Sequence, residues 1–205
     1  MLENIACLRG GRMLFQNLSC GLNAGDVLHL SGPNGSGKTS LLRIMAGALP
    51  AAAGKILWNG VHFLKNGAGE HAARIAFLPS DDRNLKILET TNENIRFWAQ
   101  LSGDTSRCSV VLDHLNLAAL KHTPVQRLSA GQRRRLSLAR ILLNNHPLWL
   151  LDEPFNGLDT ASMKLFRDML DGHVAGGGMA VIASHHALKP PKSGALRHVE
   201  LGGTV

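Results

Sequence analysis

The chain has 205 residues, of which 44% are hydrophobic and 18% charged, so it can bury a core and lacks the composition of a disordered segment. Its length excludes a large multidomain machine, because a single core rarely exceeds about 250 residues. The formal net charge of +7 is compatible with a nucleic acid, an anionic membrane or a phosphate-bearing ligand, and does not decide among them.

The first segments of the chain have the pattern of short strands. Residues 2–7, 13–18 and 56–58 are joined by Gly-Gly or Asn-Gly turns, which predicts an antiparallel edge. Later hydrophobic runs alternate with helical patterns, which predicts an α/β fold with a mostly parallel, buried sheet. The predicted strands of that sheet are Val27–Ser31, Ile75–Leu78, Leu148–Asp152 and 179–184, and the predicted helices include 129–143 and 160–170.

Residues 90–126 are predicted to be mostly helical. Thr90 and Glu93 have the spacing of a capping box, in which a hydroxyl and a carboxylate satisfy the amides of the first turn. Ile95, Trp98 and Leu101 then fall near one face. We expect a helical lobe at roughly 85–145, inserted into a single domain that covers 1–205.

The amino terminus and the cysteines indicate a cytosolic protein. The first residues include Glu3 and lack the basic start and apolar run of a secretory signal. Residues 172–188, the longest stretch without a charged side chain, contain three consecutive glycines and do not have the pattern of a membrane span. The three cysteines have no disulfide or metal-site spacing, so we expect free, buried thiols.

A glycine-rich loop lies between a predicted strand and a predicted helix. Residues 32–39 match the pattern GxxxxGK[ST]. Glycines let backbone amides turn toward phosphate oxygens, and the helix start adds positive potential. Lys38 would reach the outer phosphates, and the Thr39 hydroxyl would bind Mg²⁺. The predicted phosphate site consists of Gly32, Pro33, Asn34, Gly35, Ser36, Gly37, Lys38, Thr39 and Ser40.

Two carboxylates follow the predicted strand Leu148–Asp152. Asp152 would lie at the carboxyl edge of the sheet, where it could hold Mg²⁺. Since neighbours on an extended chain point in opposite directions, Glu153 would face the attacking water and act as a general base. The alternative for the pair is a solvated or helix-capping role.

A second capping box, Ser129 with Gln132, begins the next predicted helix. It presents amides and a hydroxyl with positive potential to solvent, which predicts a half-site for a phosphate from elsewhere. The helix continues with a basic cluster, for which a solvated face is the simplest interpretation. The cluster consists of Arg133, Arg134, Arg135 and Arg140.

In their order along the chain, these motifs resemble those of the ATP-binding cassette (ABC) family. GPNGSGKT (32–39) resembles the Walker A loop, LSAGQ (128–132) the signature, LWLLDEP (148–154) the Walker B strand, NGLD (156–159) the D-loop and ASH (183–185) the switch. The resemblance implies a P-loop NTPase fold that binds ATP and Mg²⁺ and forms a head-to-tail homodimer. In that dimer Ser129 and Gly131 of one copy would contact the ATP bound at Lys38 of the other. Asp159 would lie at the seam, and His185 would contact the γ-phosphate beside Glu153.

Two positions depart from the family pattern. The family usually has a glutamine after the middle strand, where this chain has LPSDD (78–82), so either Asp81 or Asp82 substitutes near Mg²⁺ or the loop is simply solvated. The aromatic side chain that usually stacks on adenine has no clear counterpart. Arg9 falls nearest to that position, and its planar guanidinium can stack on a purine.

Residues 129–135, 147–159 and 172–188 resemble the ATP-binding subunits of the haem exporters of cytochrome c maturation. This implies a peripheral subunit on the cytoplasmic side of the inner membrane, whose ATP hydrolysis drives release of a haem-loaded chaperone. Integral membrane subunits would dock on the helical lobe, where Leu85, Phe97 and Trp98 are either contacts or core. We expect no nucleic acid partner, and no direct haem binding because the chain has no CxxCH. The alternatives are a subunit of another ABC exporter, a soluble ABC ATPase acting on nucleic acid, and a nucleotide-binding scaffold without hydrolysis.

Overall fold

Nine strands form two sheets in residues 1–63 and 68–202, the part of the chain that the computed structural model describes. The strands are β1 (Leu2–Arg9), β2 (Arg12–Cys20), β3 (Val27–Ser31), β4 (Ala53–Trp58), β5 (Val61–His62), β6 (Ile75–Leu78), β7 (Leu148–Asp152), β8 (Met179–Ala183) and β9 (Leu196–Glu200). The antiparallel sheet has the order β2-β1-β4-β5, and the parallel sheet has the order β6-β7-β8-β3-β9. The predicted α/β class is confirmed, and the antiparallel strands form a sheet of their own.

Six α-helices accompany these strands in the described residues. They are α1 (Lys38–Met45), α2 (Ala68–Ala72), α3 (Thr91–Leu101), α4 (Cys108–His114), α5 (Ala130–Leu142) and α6 (Thr160–Ala175). Both predicted capping boxes are present, with Thr90 and Glu93 at the start of α3 and Ser129 and Gln132 at the start of α5. Within 1–63 and 68–202, none of the helices combines the length and the apolarity that a membrane crossing requires.

The parallel sheet lies between two apolar clusters. Successive side chains of a strand point to opposite faces, so β7 contributes to both. Leu148 and Leu150 pack with α1 and the antiparallel sheet, whereas Trp149 and Leu151 pack with α3, α5 and α6. Because both faces of the sheet are covered, its carboxyl edge is the place where a ligand can reach several strands at once.

The carboxyl ends of β3, β7 and β8 meet at that edge. In the parallel register, Ala183 of β8 pairs with Leu30 of β3 and with Asp152 of β7. The glycine-rich loop leaves β3, Glu153 follows β7, and His185 follows β8. Three motifs that are far apart in the sequence therefore converge on one edge.

Two of the three apolar residues predicted to fall near one face of α3 are buried. These are Ile95 and Trp98, whereas Leu101, the last residue of the helix, is 73% exposed. Leu85 and Trp98 are buried and Phe97 is partly buried against the same cluster, so these three belong to the core rather than to a docking surface.

The cysteines only partly match prediction. Cys7, Cys20 and Cys108 are all free thiols, but only Cys7 is fully buried, and the other two are half-buried. The expectation of buried thiols is therefore confirmed for Cys7 alone.

Asp26, which is buried, forms an ion pair with the exposed Arg197 that joins β9 to the start of β3. Its carboxylate accepts hydrogen bonds from Arg197 Nε at 2.7 Å, from the Asn23 amide at 3.0 Å and from the Ala195 amide at 3.3 Å. Burial by itself raises the pKa of Asp26, but these hydrogen bonds outweigh it and lower the pKa below its ordinary value. The pair therefore stabilises the folded chain above the unfolded pKa of about 3.9, and this stabilisation is lost as pH falls through the folded pKa.

We expect Asp26→Asn to lower the free energy of unfolding by about 2 kcal/mol near neutral pH, because charge-assisted hydrogen bonds are lost. The difference should shrink as pH falls below about 3.9, since the unfolded wild-type chain then takes up a proton at Asp26 while the folded chain, with its lower pKa, does not. Urea unfolding between about pH 7 and about pH 3 measures both effects, with the exposed Asp113→Asn as the matched control. A difference that stayed constant across this range would contradict the assignment.

Candidate active site

A cavity of about 550 Å³ opens at the edge where β3, β7 and β8 end. It is lined by Arg9, Leu14, Asn34, Gly35, Gly37, Lys38, Thr39, Ser40, Ser80, Asp152, Glu153, Asn156 and His185. The structure thus brings together most of the predicted phosphate loop, both carboxylates after β7, the switch histidine and the arginine proposed to lie near the nucleotide base.

The glycine-rich loop turns sharply before α1. Gly37, the residue before the helix, has φ of 103°, a left-handed conformation that favours glycine. A Cβ at Gly37 would also lie 2.8 Å from Phe15 Cε1, so there is no room for a side chain. The loop therefore delivers the amino end of α1 to the cavity, where the helix dipole favours an anion.

Lys38 is a buried cation held by neutral groups. Its Nζ donates to the carbonyl oxygens of Gly32 at 2.7 Å and Pro33 at 3.2 Å. Among the described residues, no carboxylate forms a salt bridge with it. A buried charge is normally compensated by an opposite one, so this environment favours an anionic ligand beside Lys38.

Thr39 and Asp152 form a hydrogen-bonded pair across the cavity floor. The Thr39 hydroxyl donates to Asp152 Oδ2 at 2.9 Å, and Asp152 is only 2% exposed. A hydroxyl and a carboxylate are oxygen ligands of the kind that Mg²⁺ prefers, usually together with substrate phosphates and water. The residues present therefore fit a magnesium site.

Glu153 lines the cavity, but its backbone conformation differs from the predicted one. The expectation of an extended backbone is wrong, because β7 ends at Asp152 and Glu153 has φ of 45°. This left-handed turn places both carboxylates on the lining of one cavity. The Glu153 side chain is 12% exposed, and neither of its oxygens has a hydrogen-bond partner within the described chain.

His185 lies between a cation and a carboxylate. Its Nε2 is 3.3 Å from Glu153 Oε1, close enough for an ion pair but without hydrogen-bond geometry, and 3.4 Å from Lys38 Nζ. One ring nitrogen cannot serve both neighbours at once, since it donates to the carboxylate only when protonated and accepts from the ammonium only when it is not. His185 Nε2 therefore contacts both groups and can hydrogen-bond only one of them at a time.

Six predicted site residues are absent from the described lining of the cavity. Gly32, Pro33 and Ser36 belong to the glycine-rich loop beside it, whereas Ser129, Gly131 and Asp159 lie elsewhere. Ser129 caps α5, and Asp159 caps α6 by accepting from the Ser162 amide at 2.7 Å. The signature residues do not reach Lys38 of their own chain in this structure, as the half-site prediction requires.

The loop after β6 matches neither the family pattern, which has a glutamine there, nor a magnesium site formed by its aspartates. Ser80 lines the cavity, whereas Asp81 pairs with Arg83 at 3.1 Å and Asp82 with Arg133 at 3.5 Å. The solvated alternative for the two aspartates is therefore favoured. Ser80 was not singled out from the sequence, because only its position after β6 distinguishes it.

Arg134 is the residue that the sequence interpretation missed most clearly. A solvated helix face is wrong for this arginine, which is 3% exposed and donates to carbonyl oxygens around the cavity. The signal was present in the sequence, because Arg134, Leu138 and Ile141 repeat at i, i+4 and i+7 on the buried face of α5.

Comparisons with known proteins agree with this geometry. The sequence profile of the ABC transporter family matches residues 15–156. The cytochrome c biogenesis ATP-binding export protein CcmA of Paramagnetospirillum magneticum is 45% identical over 92% of this chain and 88% of its own length. The protein of the same name from Cereibacter sphaeroides is 44% identical over 90% of this chain and 81% of its own. The chain belongs to the ABC transporter family, as a CcmA-type ATP-binding protein.

The fold of the ABC family is also found by structural comparison. A dimeric ATP-binding cassette in a post-hydrolysis state, bound to ADP and Pi, superposes with a TM-score of 0.78 at 23% identity. The match covers 90% of this chain and 87% of that one. The resemblance and the cassette fold predicted from the motifs are confirmed.

Proposed function

We propose that this chain is the ATP-hydrolysing subunit of a membrane ABC complex, the haem exporter of c-type cytochrome biogenesis. ATP hydrolysis is coupled in this proposal to the release of a haem-loaded chaperone. The names of the CcmA relatives support the biogenesis assignment, and the cavity supports the chemistry. Residues 1–205 act as one ABC domain with its helical lobe at roughly 85–145.

The observation that carries the proposal is the carboxylate of Glu153. It is buried without a hydrogen-bond partner among the described residues, in the same cavity as the Lys38 ammonium and the Thr39–Asp152 pair. A buried polar group in that condition is rare in folded proteins and marks a place for water or a reacting group. Glu153 is therefore positioned to accept a proton from water that attacks a phosphate.

The other residues around the cavity have separate roles in binding ATP and Mg²⁺. The loop at 32–40 holds the ATP phosphates, with Lys38 compensating their charge. Thr39 and Asp152 hold Mg²⁺, which when bound neutralises charge on phosphate oxygens. His185 contacts the γ-phosphate and the water beside Glu153, and Arg9 stacks on the adenine.

A second copy completes the site. Ser129 and Gly131 lie at the start of α5, away from the cavity of their own chain, and contact the ATP of the partner copy in a head-to-tail homodimer. Asp159 lies at the dimer seam. The dimeric state of a cassette with the same fold supports this arrangement.

The helical lobe docks on integral membrane subunits at the cytoplasmic side of the inner membrane. Leu85, Phe97 and Trp98 pack into the core, so the docking surface consists instead of the exposed apolar side chains nearby. These are Ile87 and Leu88, which are adjacent in the chain just before α3. Contiguous exposed apolar side chains are typical of protein contact surfaces.

The experiment that tests the proposal is purification of the tagged chain from gently solubilised native membranes, with an ATPase assay on the same fraction. Recovery of the cytochrome c biogenesis membrane subunits together with ATPase activity is the expected result. Recovery of a different permease would preserve the residue roles and overturn the cargo. A fraction with the biogenesis subunits but no ATPase activity would contradict the enzymatic role.

A further inference from the structure

Arg134 links two strand ends around the candidate active site. Its Nη1 donates to the carbonyl oxygen of Pro79, just after β6, at 2.9 Å. Its Nη2 donates to the carbonyl oxygens of Asp152 at 3.1 Å and Glu153 at 2.9 Å, and Nε to that of Pro154 at 3.4 Å. A single guanidinium from α5 thus holds the exit of β6 and the exit of β7.

This arrangement is an unusual environment for a positive charge. No carboxylate of the described residues forms a salt bridge with Arg134, so its charge is compensated mainly by carbonyl dipoles. Burial lowers the pKa of Arg134, and the carboxylates of Asp82 and Asp152 oppose that shift. Only the planar fork of an arginine can reach several carbonyl groups in fixed directions, so a lysine could not replace it fully.

The backbone that Arg134 holds is strained. Glu153 has φ of 45°, which L residues rarely adopt, and it precedes Pro154, which favours an extended conformation instead. Its amide donates to the Ala183 carbonyl at 2.9 Å, and its carbonyl accepts from Arg134 Nη2 and, at 3.2 Å, from the Asn156 amide. Bonds on both sides of the residue fix the direction in which its side chain leaves the backbone.

Helix α5 also lies close to the turn that follows Glu153. A Cβ on Gly131, in the first turn of α5, would lie 3.1 Å from the Gly157 carbonyl oxygen. The start of α5 and Arg134 therefore both contact the segment that contains Glu153.

We propose that Arg134 is a positioning residue for ATP hydrolysis, which holds Glu153 in the left-handed turn that aims its carboxylate into the cavity. The inference rests on the proposed role of Glu153 as the general base. Arg134 does not belong to the described cavity lining, so it acts through Glu153 and not on the substrate. Because Arg134 and the signature residues share α5, a shift of that helix would also shift the base.

The primary test is Arg134→Lys in the full chain, compared with Arg140→Lys on the exposed side of the same helix. We expect kcat to fall about 10- to 100-fold with little change in the KM for ATP, because the base is misplaced while the phosphate loop is intact. Arg140→Lys should retain the wild-type kcat. Thermal unfolding shows whether each variant is folded, and Arg134→Gln replaces the lysine variant if that one is unfolded.

A double-variant comparison separates positioning from general stabilisation. In a Glu153→Gln background there is no base left to position, so Arg134→Lys should cause no further loss of single-turnover phosphate release. An equal fold-loss in both backgrounds would overturn the inference in favour of a structural role. If Arg134→Lys hydrolyses ATP at the wild-type rate while Glu153→Gln is inactive, this inference alone is overturned. Glu153→Gln at the wild-type rate would overturn the assignment of the base, and this inference with it.

Discussion

Glu153→Gln is expected to lower ATP turnover by about 10²- to 10⁴-fold, which is the usual contribution of a general base. The amide has nearly the shape of the carboxylate but cannot accept the proton of the attacking water. Nucleotide binding should remain close to wild type, because the phosphate loop and the Thr39–Asp152 pair are unchanged. Steady-state phosphate release and equilibrium nucleotide binding, measured on the same preparation, check both parts.

The same variant should also accumulate as a dimer with MgATP, since the ATP that is proposed to join the two copies would no longer be hydrolysed. Size-exclusion chromatography with light scattering detects this species. The matched control is Glu200→Gln, which removes an exposed carboxylate at the edge strand β9 and should behave as wild type. Wild-type turnover by Glu153→Gln would remove Glu153 as the base.

Lys38→Ala is expected to abolish measurable ATP binding. The ammonium is buried, and its partners are two carbonyl oxygens and the His185 ring rather than a carboxylate, so the negative phosphates are its natural counter-charge. Loss of two charge-assisted hydrogen bonds, at about 1.5 to 3 kcal/mol each, corresponds to at least about a 100-fold loss of affinity. Titration of the purified chain with a fluorescent ATP analogue measures it.

The control for this variant is Lys164→Ala, which removes an exposed lysine from α6. It makes the same change in net charge and should leave the affinity for ATP unaltered. Thermal unfolding of both variants shows whether loss of binding reflects loss of fold. A folded Lys38→Ala chain with wild-type affinity would refute the phosphate-site assignment.

Local patterns in the sequence were sufficient to predict much of the fold. The strands Val27–Ser31, Ile75–Leu78 and Leu148–Asp152 have the predicted bounds, because each is a short apolar run closed by a polar residue or a proline. The two capping boxes were predictable for the same reason, since hydroxyl and acceptor stand three residues apart on one turn. Motif order along the chain then identified the family.

The features that could not be predicted depend on contacts between distant residues. The alternation of side chains along an extended strand predicts the direction of Asp152. This alternation ends with β7, so the left-handed turn at Glu153 was missed. The place of Arg134 on the buried face of α5 follows a local pattern, but its carbonyl partner Pro79 lies 55 residues away in the sequence, so its role around the cavity was missed. Ser80 also depends on distant residues, because it lines the cavity only where β6 pairs with β7.

Coupling of ATP hydrolysis to release of the haem-loaded chaperone is tested most directly in native membranes. Membranes that hold either the wild-type chain or Glu153→Gln are given MgATP, and the haem-loaded chaperone that leaves the membrane fraction is measured. We predict release from the wild-type membranes and retention in the Glu153→Gln membranes at equal amounts of complex. Equal release from both, or release without ATP, would contradict the proposed coupling.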